Sequence, residues 1–114
     1  MKYVMNREDL DPRGPTSYVF EGYKHGATII SMHLTELAPG QGPRLHRHPY
    51  EEVFVIYEGQ ATYTLGNTTL EVTAGQIVLA PAGIPHKFVN SGEGTLRQTS
   101  IHASAHIITE WLES

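Results

Sequence analysis

The chain has no cysteine, which removes a disulfide frame, a thiolate nucleophile and any sulfur ligand for a metal. It is short of positive charge: eight Lys and Arg stand against twelve Asp and Glu, a formal charge of −4. That balance argues against a nucleic-acid partner or an acidic membrane surface, both of which want a basic face. No apolar run approaches the length of a membrane span. The opening stretch, Met1 to Pro12, is polar and lacks the apolar core of a signal peptide, so the cytoplasm is the expected location. Helical periodicity is almost missing as well. What the chain has in quantity is β-prone segments, turn residues and seven histidines within 114 residues.

A chain of this length makes one domain and can bury a core without staples. Residues 1–16 are rich in Pro, Gly and charge and read as an N-terminal arm, with a single domain over residues 17–114. Tyr18 to Tyr23 is a strand candidate, and Lys24-His25-Gly26 fits a hairpin turn. The next strand is expected over Ala27 to Ala38. Val53-Phe54-Val55-Ile56-Tyr57 is apolar on both faces and needs cover on both, one by the core and the other by a second subunit or the arm. A homodimer is therefore expected. Gly66-Asn67 signals a two-residue hairpin with Gly first, followed by a strand with Leu70 and Val72 inward. The tail, with Ile107, Ile108, Trp111 and Leu112, fits either a short helix or a strand. About eight short strands at spacings of roughly ten residues predict an all-β sandwich or barrel.

The chemistry concentrates between Gly40 and Gly59. His46 and His48 are two residues apart, so an extended strand sends both rings to one face, and Glu52 keeps the same parity. Two imidazoles and a carboxylate on one side suit a divalent metal. His86, delivered by the stiff loop Pro81-Ala82-Gly83-Ile84-Pro85, is the expected fourth donor. Taken alone, these residues could also be satisfied polar groups in a barrel mouth.

These residues resemble the cupin superfamily. Its first motif runs Gly, five residues, His-x-His, three or four residues, Glu, six residues, Gly, and Gly40, His46, His48, Glu52 and Gly59 meet it. Its second runs Gly, five residues, Pro-x-Gly, two residues, His, three residues, Asn, and Gly75, Pro81, Gly83, His86 and Asn90 meet it. The fifteen residues between the motifs match the spacing of compact single-domain cupins. The resemblance implies a small jelly-roll β-barrel (a double-stranded β-helix) and one divalent transition-metal ion held by His46, His48, Glu52 and His86. Manganese, iron, nickel, cobalt and zinc all suit such nitrogen and oxygen donors.

Around that centre, Arg44 shares the parity of His46 and could hold an anionic substrate group. Phe54, Ile56, Tyr63 and Phe88 form an apolar lining by parity. His33 and His102, on strands that could line the barrel, could steady a ligand or act as general base, and Glu52 could act as both ligand and base. The expected partner is a small organic molecule. The leading reading is a metal-dependent oxidoreductase of the dioxygenase type. A metal-dependent isomerase or lyase, and a non-catalytic metal- or ligand-binding module, are the alternatives.

Overall fold

The computed structural model describes residues 3–114, folded as two antiparallel sheets that face each other. Eleven strands follow in chain order: β1 (Asp11–Pro12), β2 (Tyr18–Phe20), β3 (Ser31–Leu37), β4 (His46–Arg47), β5 (Glu52–Glu58), β6 (Gln60–Leu65), β7 (Thr68–Thr73), β8 (Ile77–Ala80), β9 (His86–Asn90), β10 (Leu96–His102) and β11 (Glu110–Trp111). One sheet has the order β1-β2-β3-β10-β5-β8 and the other β11-β4-β9-β6-β7. Apart from two short 3-10 turns, Arg7–Asp9 and Gly22–His25, the described residues contain no helix. None is therefore long and apolar enough to cross a membrane. This is the expected all-β double-stranded β-helix.

Alternation along each strand sorts the side chains. β5 buries Glu52, Phe54 and Ile56 and leaves Val53 and Val55 half-buried. Phe54 and Ile56 meet Tyr63 and Leu65 from β6, Phe88 from β9 and Leu96 from β10 in one apolar cluster. Each such side chain fully removed from water contributes about 1.5–3 kcal/mol. Beside that cluster the strands bring together four buried polar side chains, His46, Glu52, His86 and His102. Register does the collecting: His102 pairs opposite Glu52 across β10 and β5, and His46 opposite His86 across β4 and β9.

Turn chemistry follows the sequence at Gly66, whose φ of 58° opens the two-residue β6–β7 hairpin; Asn67 keeps a negative φ. Gly59 ends β5 with φ 91°, and a Cβ there would stand 2.5 Å from the Thr95 carbonyl oxygen, so only glycine lets β10 approach.

Three local expectations differ, and for the tail one of two expected alternatives is found. The strand from Tyr18 stops at Phe20; residues 22–25 form a 3-10 turn closed by Gly26, in place of a tight hairpin at 24–26. The following strand begins at Ser31, not Ala27. The loop between must pass Gly22 so closely to the Ile30 carbonyl that strand pairing cannot start earlier. Leu70 is 44 % exposed while Val72 is buried, because β7 is an edge strand with a neighbour on one side only. The tail is a strand, β11, paired to β4.

The arm joins the sheet through β1, at the edge away from β5. Arg7 reaches Glu36 on β3 and lies over the Tyr18 ring, so the described part of the arm runs along β2 and β3. It does not cover the outer face of β5.

Candidate metal centre

β4 and the turn after it carry His46 and His48, β5 starts at Glu52, and β9 starts at His86. Their donor atoms all lie within 4.8 Å of one another, and all four residues are buried. A common feature fixes the three rings. His46 Nδ1 is 2.7 Å from the Arg44 carbonyl oxygen, His48 Nδ1 is 2.7 Å from that of Ile108, and His86 Nδ1 is 3.0 Å from that of Ile84. A carbonyl oxygen only accepts, so each Nδ1 carries its proton and donates. The imidazole lone pair of each neutral ring then sits on Nε2, toward the shared point. This is the tautomer a metal ligand needs, fixed by backbone groups.

His48 tests the fit. Its Nε2 comes within 3.2 Å of Glu52 Oε1 without hydrogen-bond geometry, and it is a buried nitrogen with no partner. An unpaired buried polar atom costs about 1–3 kcal/mol, which an ion at the centre of the cluster would recover. Three imidazoles and one carboxylate suit one first-row divalent ion, with coordination positions left over.

The charge state supports the same conclusion. Burial opposes ionisation of Glu52, but the contacts from His102 and His86 outweigh it and hold the carboxyl well below the usual range. Burial pushes His46 down to about 4, so the ring is neutral at physiological pH. His86 behaves oppositely: burial would lower it, yet the hydrogen bond to Glu52 and then that to Ile84 raise it. Its Nε2 lies 3.0 Å from Glu52 Oε1. Both its nitrogens face acceptors, so without an ion this ring is an imidazolium paired with Glu52.

Glu52 is held from behind. His102 Nε2 lies 2.9 Å from Glu52 Oε2, and His102 Nδ1 is 2.7 Å from the Tyr50 hydroxyl. The Ile108 amide donates to that hydroxyl oxygen at 3.3 Å. A carboxylate oxygen only accepts, so His102 Nε2 carries a proton toward Glu52, while its Nδ1 shares a hydrogen bond with the Tyr50 hydroxyl. His33 stacks on His102 with ring centroids 4.8 Å apart, and its Nε2 is buried without a partner. Burial first, then the neighbouring His102, lowers His33 to about 4.

A cavity of about 270 Å³ opens onto the cluster. His33, His102, Glu52, Phe54 and Phe88 line it. Ile56 and Tyr63 are not on its wall; they lie in the apolar cluster beneath, where the Tyr63 hydroxyl donates to Gln98 Oε1 at 2.6 Å. Arg44 also stands off the wall. It is exposed, with its guanidinium 5.0 Å from the Trp111 ring centroid. β4 begins only at His46, so the parity that aligns His46 and His48 does not extend back to residue 44. Three wall or support residues were not singled out from the sequence: Tyr50, Gln98 and Arg13. Tyr50 and Gln98 are marked only by their partners His102 and Tyr63, far from them in the chain.

Comparison with known proteins agrees with this geometry. The cupin domain family model matches residues 33–102, which include every residue of the cluster. The HTH-type transcriptional regulator PuuR of Escherichia coli is 30 % identical over 102 residues, covering 90 % of this chain and 46 % of the regulator. The chain thus spans less than half of that relative's length. Among solved structures, oxalate decarboxylase from Lactobacillus farciminis, in a formate complex, superposes with a TM-score of 0.82 at 23 % identity, over 92 % of this chain and 34 % of that one. A double-stranded β-helix protein of uncharacterised function from Klebsiella pneumoniae superposes with a TM-score of 0.77 at 21 % identity, over the full length of both chains. At these identities the structures speak for the fold alone. With two antiparallel sheets, a buried cluster of three histidines and one glutamate, and a family match over most of its length, the chain belongs to the cupin domain family.

Proposed function

We propose that the protein is a metal-dependent enzyme acting on a small organic molecule in the cavity, with oxidation by O₂ of the dioxygenase type as the leading reading. The observation that carries it is the common orientation of His46, His48 and His86, each locked by a backbone carbonyl with Nε2 facing one point beside an open cavity. When bound, a redox-active ion such as manganese or iron would supply Lewis acidity and the electrons that O₂ chemistry draws on, whereas zinc would supply Lewis acidity alone. The chain's own residues do the rest. Phe54 and Phe88 exclude water along one wall. His102 holds the second oxygen of Glu52, so the carboxylate cannot swing without breaking that contact. His33, neutral and unpartnered at Nε2, is placed to take or give a proton to a substrate group in the cavity.

Lyase chemistry, with carbon–carbon cleavage and no net oxidation, is the second reading; the fold match to an oxalate decarboxylase favours it. The relation to PuuR favours a third, a ligand-binding module without turnover. Oxygen-electrode assays of metal-loaded protein against phenols, diketones and thiols separate them. Metal-dependent O₂ uptake with product is expected. Turnover that needs the metal but consumes no O₂ refutes the oxidation reading in favour of the lyase, and tight binding without turnover favours the module.

Two copies are proposed to pair through the outer face of β5 and β8. Tyr57, Ile77 and Leu79 are 58 %, 67 % and 54 % exposed there, beside half-buried Val53 and Val55. β8 is also a sheet edge, which a lone protomer would leave open.

A further inference from the structure

The cavity mouth carries a cation that the metal chemistry does not explain. Arg13 follows β1, and its amide donates to the Ser17 carbonyl at 2.7 Å, closing a short loop turned by Gly14 at φ 83°. That loop is clamped to β3: the hydroxyls of Thr16 and Ser17 both donate to the Glu36 carbonyl, at 2.9 and 3.2 Å. The Arg13 side chain lines the cavity, and its Nη1 donates to its neighbour's carbonyl, Pro12, at 3.0 Å. Among the described residues no carboxylate stands within 4 Å of it. Arg7, Arg47, Arg97, Lys24 and Lys87 all have such a partner. Its charge is nonetheless felt in the cavity, where it helps to disfavour protonation of His33 after burial and His102.

Glu52 is the one acidic side chain on the cavity wall among the described residues, and the cluster consumes it. With a divalent ion bound, the cavity carries the ion and Arg13 against one carboxylate, a net positive site within a chain of formal charge −4. The wall from β3 and β10 offers further donors. Thr35 and Ser100 bring hydroxyls, and Gln98, whose Oε1 is taken by Tyr63, has only its amide NH₂ left to give. The opposite wall is apolar, with Phe88 and Trp111. About 270 Å³ is the liquid volume of about nine water molecules at ~30 Å³ each. One guanidinium matches one monoanionic, planar acceptor, which it can grip with two parallel hydrogen bonds.

From this juxtaposition we propose that the site takes a small carboxylate with a short apolar body, its carboxylate held at the mouth by Arg13 while its far end faces the metal cluster. The proposal rests on the small-molecule reading given above and names its substrate class. It also moves the anion contact from Arg44, off the wall against Trp111, to a residue of the N-terminal arm.

Benzoate and benzamide are matched probes, nearly equal in shape and differing in charge. Their dissociation constants are measured by calorimetry on metal-loaded wild type, Arg13→Gln and Arg13→Lys, with metal content determined on the same samples. Benzoate is expected to bind wild type at least tenfold tighter than benzamide. Arg13→Gln should cut that preference by weakening benzoate alone, and Arg13→Lys should retain more of it. Benzoate that fails to bind wild type, binds no tighter than benzamide, or binds Arg13→Gln unchanged overturns the inference. A protein that holds no metal yet discriminates the two probes through Arg13 sinks the metal reading and leaves this one standing. Full metal loading with no dependence on Arg13 does the reverse.

Discussion

In the metal-free protein, His86 donates from both ring nitrogens, to the Ile84 carbonyl and to Glu52 Oε1, each at 3.0 Å. Both partners only accept, so the ring carries two protons and a positive charge. A metal needs the Nε2 lone pair. Loading the site must therefore expel the second proton of His86. His46 and Glu52 add little between pH 5 and 6. His46, lowered to about 4 chiefly by burial, is already neutral there, and Glu52, held far down by its histidine contacts against the effect of burial, is already ionised. Because the His86 value is raised above 6.5, the whole pH 5–6 window lies below it. Affinity should then climb about tenfold over that one unit, about 1.4 kcal/mol, and level off above the raised value.

The assay is zinc calorimetry at pH 5.5 in two buffers of different ionisation enthalpy, whose difference gives the proton count. A count near one is expected for wild type. Glu52→Gln, which removes the anion that holds the second proton on His86, should bind zinc more weakly and release far less than one. A wild-type count near zero at pH 5.5 would refute the reasoning, since His86 would then be neutral and its contact with Glu52 something other than an ion pair. The same pair has a linked effect on folding of the metal-free chain. The His86 share is fully present below pH 6.5 and is lost as pH rises through its raised folded value, while the Glu52 share is present above 4.5 and lost on acidification.

Three further outcomes follow from other parts of the fold. His33 is lowered to about 4 by burial and then by His102, so between pH 6.5 and 4.5 the unfolded chain takes up a proton the folded one refuses; in urea melts the loss of stability over that interval should be smaller in His33→Asn than in wild type by about 2–3 kcal/mol. Tyr63→Phe strips the donor from buried Gln98 Oε1 and should cost about 1–3 kcal/mol in chemical denaturation, with metal stoichiometry unchanged. Leu79→Lys puts a charge on the proposed pairing face and should convert a dimer to a monomer in light scattering after gel filtration; wild type that is already monomeric refutes the pairing.

The metal cluster was legible in the sequence because its logic is local. His46, His48 and Glu52 fall within seven residues on either side of the bend that carries the chain from β4 to β5, and the Pro81–Pro85 loop announces that residue 86 is being delivered somewhere. Parity fails as soon as the strand does. Arg44 precedes the first residue of β4, so counting by twos placed it beside His46 while the chain carries it out to Trp111. It fails again where a face is shared between core and cavity: Phe54 and Phe88 reach the wall, whereas Ile56 and Tyr63, in phase with them, end in hydrocarbon. Tyr50 and Arg13 were invisible for a different reason. Tyr50 and His102 meet across 52 positions, and Arg13 reaches the mouth only because β1 pairs with β2 and its loop is pinned to Glu36. Nothing in Pro12-Arg13-Gly14-Pro15 itself distinguishes a cavity cation from a solvated loop residue. What distinguishes it is the lack, among the described residues, of a carboxylate partner within 4 Å beside a cavity whose own carboxylate is already committed, and that relation exists only once the sheets have closed.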